Sequence, residues 1–420
     1  MRDHLLGRTP KDYDVATAAT PERVRDVFGR RRTLELGAAF GVVTVLGPHG
    51  ARPVEVATFR NDLGYSDGRH PDQVTFSNPE EDARRRDFTI NGLFYDPVED
   101  RVIDFVGGIQ DLDRGLIRAI GDPKARFTED KLRLLRAVRF AAVYGFELEE
   151  GTRQAISEMA DQVTVVSPER IAQEMRAMLT HKHRRRALER MLETGLLAAV
   201  LPEAIPMRGL PQHKRVQPGG DLWDHTLLVL EHLNEPSFPL ALGALLHDVG
   251  KPRTMAVRKG KLGFYDHEIV GEQIAEQVSR RWKLSNKEQQ RVCWLVRNHM
   301  YLGEARKLRW AKLQRMLTAE GIEELLELHR ADALASDRDL ADIEYCQTLL
   351  LQPPEELDPA QILTGHDLIR HGVPQGKIYK SLLEKVRDAQ LEKLVRNKRE
   401  ALALVDQLLE GNAVDEHTSD

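Results

Sequence analysis

Near residue 120 the hydrophobic pattern of this 420-residue chain changes its period, and that change limits the fold more than any other feature. Before it, short β-rich runs such as FGVVTVLG, RPVEVATFR and RVIDFVGG alternate with Gly, Pro and Asp turns. Such runs suit a small strand-containing unit. After it, apolar residues recur at helical spacing almost to the end. The expected fold class is α+β, with a small head followed by an all-α remainder. TEDKLRLLRAVRFAAVYGF predicts one helix capped by Thr128 and closed near Gly145. SPERIAQEMRAMLTH predicts another, with Ser167 as cap and Pro168 at its first position. Two loops, LPQHKRVQPGGD (210–221) and LLQPPEELDPA (350–360), mark boundaries. With the change of period near residue 120, they divide the chain into a head (1–120), a helical neck (121–209), a helical body (210–349) and a helical tail (350–420).

Composition excludes several classes. No apolar run is long enough to span a bilayer, and the N-terminus lacks a signal-peptide pattern. With only Cys293 and Cys346, neither a disulfide framework nor a cysteine zinc site is available. The expectation is a soluble cytoplasmic protein without a membrane partner. Net charge is −5, yet basic clusters stand at 30–32, 84–86, 181–186 and 393–399. Several such clusters in one acidic chain predict a basic groove for nucleic acid.

Chemistry enters with RTPKDYDVATAATP (8–21), where Asp12 and Asp14 lie two apart. In a strand both carboxylates point the same way and Tyr13 the other way. Two such carboxylates repel unless water solvates both or a cation lies between them. A solvated turn is the plainer account of the spacing alone. Glu55, in the alternating strand PVEVATFR, is a third acid that could aim at the same place. Its plainer role is an exposed strand residue or a partner for Arg60. Three such carboxylates would suit a divalent-metal site for phosphoryl transfer.

RDHLLGRTPKDYDVAT resembles the metal-binding segment of polymerase-β-like nucleotidyltransferases, in the version of the bacterial tRNA CCA-adding enzyme and poly(A) polymerase family. Four later segments match in order: RRRDFTINGLFYDP (84–97), DLDRGLIRAIGDP (111–123), EDKLRLLRAVRF (129–140) and SPERIAQEM (167–175). The resemblance implies that Asp12 and Asp14 hold Mg2+ and activate an RNA 3′-hydroxyl toward an α-phosphate. It implies nucleotide contacts at Arg2, Arg86, Asp87 and Asn91, although Arg86 could equally pair with Asp87. On the helix after Thr128 it implies nucleotide contacts at Asp130, Arg133, Arg136 and Arg139, spaced three apart in one stripe. Asp130 and Arg133 would bond the Watson–Crick edge of the incoming base, in place of a template. An acceptor beside a donor fork satisfies cytosine or adenine. The family segment usually opens with Gly-Gly before Arg-Asp, whereas this sequence begins Met1-Arg2-Asp3. The expectation is an N-terminally truncated head with a weakened triphosphate grip, from an internal start or, as the alternative, in a degenerate transferase.

A second constellation lies in the body: WDHTLLVLEHL (His225), ALLHDVGKP (His247, Asp248) and LHRADALAS (Asp332). Its order resembles HD-domain metal phosphohydrolases, with His267 and His299 as further ligands. Adjacent His247 and Asp248 can reach one ion only where a helix bends or ends, and Gly250 and Pro252 supply an ending. Histidine with carboxylate suits a transition metal better than magnesium alone. The implied function is template-independent addition of CCA, or part of it, to tRNA from CTP and ATP, with a second divalent metal serving hydrolysis. The alternatives are a poly(A) polymerase, an HD phosphohydrolase whose head only binds RNA, and a non-catalytic RNA-binding protein.

Overall fold

The computed structural model describes residues 1–10, 13–37, 41–48, 51–63, 73–211, 220–258 and 261–416. Asp12 lies outside the described residues. The chain opens with a short helix α1 (Arg2–Leu5), strand β1 (Asp14–Thr17) and helix α2 (Pro21–Phe28). Strands β2 (Thr33–Gly37), β3 (Val42–Val45) and β4 (Val54–Thr58) complete a four-stranded sheet of order β1-β4-β3-β2. β1 runs parallel to β4, and the other pairs are antiparallel. Thr20 caps α2, and Pro21 pre-sets its first turn. Val24 of α2 then packs on Val43 and Val56 as a small core of its own.

The rest of the head consists of hairpin β5–β6 (Arg60–Leu63, Gln73–Phe76), helix α3 (Pro79–Arg84), hairpin β7–β8 (Leu93–Asp96, Arg101–Asp104) and helix α4 (Gly108–Arg114). Phe88 and Ile90, fully buried, belong to the main core that continues into the neck and body. With Leu93 and Leu112 they anchor this part of the head to the rest of the molecule.

In the neck, β9 (Leu116–Ile117) pairs in parallel with β10 (Glu147–Leu148) around helices α5 (Pro123–Glu129) and α6 (Leu132–Tyr144). The single helix expected from Thr128 is two. Asp122 accepts a hydrogen bond from Ala125 N–H, with Pro123 next to it, so a helix starts earlier. Thr128 lies in the last turn of that helix, and its hydroxyl donates to Lys124 O. Asp130 takes an extended conformation (φ −143°, ψ 105°) and separates the two. The closing residue Gly145 is left-handed, as a helix end favours. Helices α7 (Glu150–Met159), α8 (Pro168–Leu179), α9 (Arg184–Glu193) and α10 (Leu196–Val200) follow. Ser167 occupies the position before α8, but its side chain makes no capping bond.

The body comprises α11 (Leu222–His232), α12 (Phe238–Leu246), α13 (Lys251–Thr254), hairpin β11–β12 (Met255–Arg258, Lys261–Phe264), α14 (His267–Arg281), α15 (Asn286–Asn298), α16 (Trp310–Leu317) and α17 (Ile322–Ala335). Helix α12 is apolar on every side, which fits its place between α11, α15 and α17. Helices from Ala341 to Glu416 form the tail, where Leu363, Leu368, Leu382, Val386 and Val405 share a separate core. No helix among the described residues is long and apolar enough to cross a membrane.

Candidate active site and metal centre

On the sheet, Asp14 and Glu55 are register partners in the parallel pair β1–β4, and both are exposed. Parallel partners point to the same face about 4.8 Å apart, so two carboxylates stand side by side at a sheet edge. Val56, next to Glu55, is buried, as the alternation requires.

A hydrogen-bonded network ties head to neck. Asp87, buried beside the core, accepts from Asn91 Nδ2 and its own neighbour Phe88 N–H, both at 2.8 Å. Its other oxygen takes both Arg136 Nε at 2.8 Å and Nη2 at 2.7 Å. Arg2 donates to Asn91 Oδ1 and lies 4.5 Å from the Tyr144 ring centroid. Arg86 pairs with Asp82, not Asp87: Nη2 is 3.0 Å from Asp82 Oδ2, and Nη1 donates to Asn91 O at 2.9 Å. Asp82 also receives Arg85 at 2.7 Å. The two arginines three and four residues after Asp82 in EEDARRRDF carried that signal in the sequence.

Burial alone would push the Asp87 carboxyl up; the Arg136 charge and the Asn91 hydrogen bond outweigh it and hold the group below the usual carboxylate range. The pair therefore contributes its full stability above about pH 4 and loses it as pH falls through the depressed value. Asp87→Ala strands the Arg136 guanidinium and is expected to cost about 3 kcal/mol. Urea unfolding at pH 7 and pH 3 measures this, and the deficit should shrink at the lower pH.

The stripe expected of Asp130, Arg133, Arg136 and Arg139 is divided. Asp130 precedes α6 and is bound by Arg170 of α8, with Nη2–Oδ2 at 2.8 Å and Nη1–Oδ1 at 3.2 Å. Arg133 does not pair with Asp130; it donates to Glu129 Oε2 at 2.7 Å and to the carbonyls of Arg126 and Arg85. Arg139 turns to α8 and bonds Glu174 at 2.6 Å. Asp130 and Arg133, three residues apart, are an acceptor and a donor each held by other groups.

In the body all six expected ligands converge. α12 ends at Leu246, so His247 and Asp248 leave the helix together. The turn packs so tightly on α14 that a Cβ at Gly250 would lie 2.1 Å from His267 O. His247, His267 and His299 each place Nδ1 2.7 Å from the carbonyl three residues before, at Ala244, Phe264 and Val296. A carbonyl only accepts, so Nδ1 carries the proton and each Nε2 presents a lone pair inward. Asp248 Oδ1 is 3.3 Å from His267 Nε2 and 3.4 Å from His299 Nε2, and Oδ2 is 3.2 Å from His247 Nε2. His225 Nε2 faces Asp332 Oδ1 at 3.1 Å.

This donor set fits a divalent cation. His267 and His299 bring their Nε2 atoms within 3.2 Å, and buried His247 Nε2 faces Asp248 Oδ2 at 3.2 Å without hydrogen-bond geometry. Facing lone pairs in a dry pocket repel until a cation joins them. Burial would lower the His247 pKa, but the Asp248 charge outweighs it and raises it; that charge equally favours a metal ion in place of a proton. Asp248 is held well below the usual range, against its burial, chiefly by His247 and Lys251. Two further residues belong here. His329 is pushed down to about 4 by burial and accepts from Leu302 N–H, so it supports the fold beside the ligands. Lys251 pairs with Asp248 at the rim.

Comparison with known proteins assigns the family. The Poly A polymerase head domain matches residues 1–118, a probable RNA-binding region of polymerase A residues 145–207, and the HD domain residues 222–337. The CCA-adding enzyme of Lactobacillus johnsonii is 31% identical over 407 residues, 96% of this chain and 90% of that protein. The chain belongs to the CCA-adding enzyme family. The family member from Lactobacillus helveticus is 44% identical over 197 residues, so the chain spans about half of its length, 48%. Among solved CCA-adding enzymes, that of Bacillus stearothermophilus in complex with CTP aligns with a TM-score of 0.71 and 28% identity, over 99% of this chain and 92% of that one. The Thermotoga maritima enzyme complexed with tRNA shares the fold, with a TM-score of 0.59 and 20% identity over 97% of this chain and 89% of that one. The family and its HD domain imply divalent-metal use.

Proposed function

We propose that this protein adds C and A to tRNA 3′ ends from CTP and ATP, without a nucleic-acid template. The observation that carries the reading is the pair Asp130 and Arg133, an acceptor beside a donor fork, each fixed by protein groups. Cytosine and adenine both present an amino donor next to a ring-nitrogen acceptor, and uracil and guanine present the reverse. One rigid pair therefore accepts the first two and rejects the others.

Asp14, Glu55 and Asp12 are the carboxylates that would hold Mg2+, which neutralises triphosphate charge and lowers the pKa of the attacking hydroxyl. Arg86, Arg2, Asp87 and Asn91 shape the wall behind the nucleotide, and Arg136 and Arg139 brace that wall against the neck. The four-part division into head (1–120), neck (121–209), HD body (210–349) and tail (350–420) is the working architecture, in the cytoplasm where tRNA is handled. The convergent Nε2 atoms favour a second activity: His225, His247, Asp248, His267, His299 and Asp332 would hold a transition metal for phosphate-ester hydrolysis.

The test is Arg133→Ala with tRNA lacking its 3′ end. Losing one bidentate donor should cost about 1–3 kcal/mol of discrimination between CTP and UTP. If every nucleotide slows by one common factor, Arg133 does not read the base. A homopolymeric A tail from the parent protein would favour the poly(A) alternative.

A further inference from the structure

Asp130 does not hold itself in place. Its Oδ1 accepts Leu132 N–H at 3.0 Å, which turns the carboxylate toward the start of α6. The Arg170 fork then takes both oxygens, at 3.2 Å and 2.8 Å, from a helix forty residues further on. A carboxylate offers about four lone-pair directions, so three are engaged and the remaining one has a fixed heading. Both partners are largely shielded, with side-chain exposures of 21% and 16%. We propose that Arg170 is a positioning residue for nucleotide choice, aiming the Asp130 carboxylate at the exocyclic group of the incoming base.

The inference rests on the base-reading role proposed for Asp130 and Arg133, and it names what gives that pair its selectivity. A fixed carboxylate meets the amino group of cytosine or adenine as an acceptor meets a donor. Against uracil or guanine it meets a carbonyl, and two acceptors in a shielded site repel. A carboxylate free to rotate turns aside and lets water bridge the gap, so the penalty on the wrong base falls. Selectivity then depends on the fork, beyond the charge. Lysine supplies the charge as a single point and cannot hold both oxygens.

A second ion pair joins the same two helices without touching Asp130. Arg139 Nε is 2.6 Å from Glu174 Oε2, and Glu174 is buried. That pair secures α6 to α8 independently, so the contribution of Arg170 to packing and its contribution to selectivity can be separated.

The experiment compares Arg170→Ala, Arg170→Lys, Glu174→Gln and Asp130→Ala in the full chain. It measures kcat/KM for CTP, ATP and UTP on tRNA lacking its 3′ end, together with Tm. Arg170→Ala should raise UTP relative to CTP by about tenfold. Arg170→Lys should shift the ratio the same way with less loss of Tm, and it carries the test if the alanine variant does not fold. Glu174→Gln should lower Tm and leave the ratio at the parental value. A common loss for all nucleotides in both Arg170 variants, matching Glu174→Gln, would overturn the positioning role. Asp130→Ala separates the two levels: an unchanged ratio there removes the base-reading proposal itself, while a changed ratio beside unaffected Arg170 variants removes only the role of Arg170.

Discussion

Asp14→Ala is expected to lower nucleotide addition by about 10²–10³-fold, the usual cost of removing one preorganised charge at a phosphoryl-transfer site. The same variant should fold as well as the parent. Asp14 is exposed on β1, its register partner is the equally exposed Glu55, and neither side chain belongs to the small core of Val24, Val43 and Val56. Removing one of two neighbouring like charges relieves repulsion, which limits the stability cost in the absence of metal. Glu55→Ala should reduce addition in the same direction. A labelled-nucleotide assay beside a thermal melt checks both. Incorporation by Asp14→Ala at the parental rate would remove the carboxylate from the chemistry.

The second large effect is expected in the body. The double change His247→Ala and Asp248→Ala removes the central carboxylate that faces His247, His267 and His299, together with one of those imidazoles. Bound manganese, nickel or cobalt should fall to background in metal analysis, and hydrolysis of a cyclic or terminal phosphate should disappear. Addition should continue, because the two sites share no residue and lie on separate elements, so their losses add independently. Retained metal in the double variant would show that His247 and Asp248 are not its ligands, and absence of hydrolysis by the parent with every metal would show that the six residues form a structural core. Loss of addition along with hydrolysis would show that the two halves depend on each other.

How much of this the sequence disclosed depends on how local each cause is. The alternation in PVEVATFR put Glu55 opposite the buried Val56, and the structure keeps that face. The break at His247 was legible as a break but not in its cause: α12 ends at Leu246, whereas Gly250 precedes and Pro252 opens the next helix, α13. The start of the helix expected from Thr128 differs because two capping signals compete. Asp122-Pro123 begins a helix first, and Thr128 then falls inside it and bonds back to Lys124. The triplet spacing of Asp130, Arg133, Arg136 and Arg139 suggested one face, but their partners come from distant segments: Arg170, Glu129, Asp87 and Glu174. Of these only Glu129 is a near neighbour. Long-range pairing of charged side chains leaves no period in a sequence, so Arg170 could not be found there.

On the proposed reading, protein side chains alone choose the nucleotide. It is tested most directly by giving the parent protein one nucleoside triphosphate at a time with a tRNA that lacks its terminal CCA, and sequencing the products. The expected outcome is incorporation of C from CTP, of A from ATP once the cytidines are in place, and rejection of UTP and GTP by about tenfold or more. Uridine incorporated as fast as cytidine would contradict it.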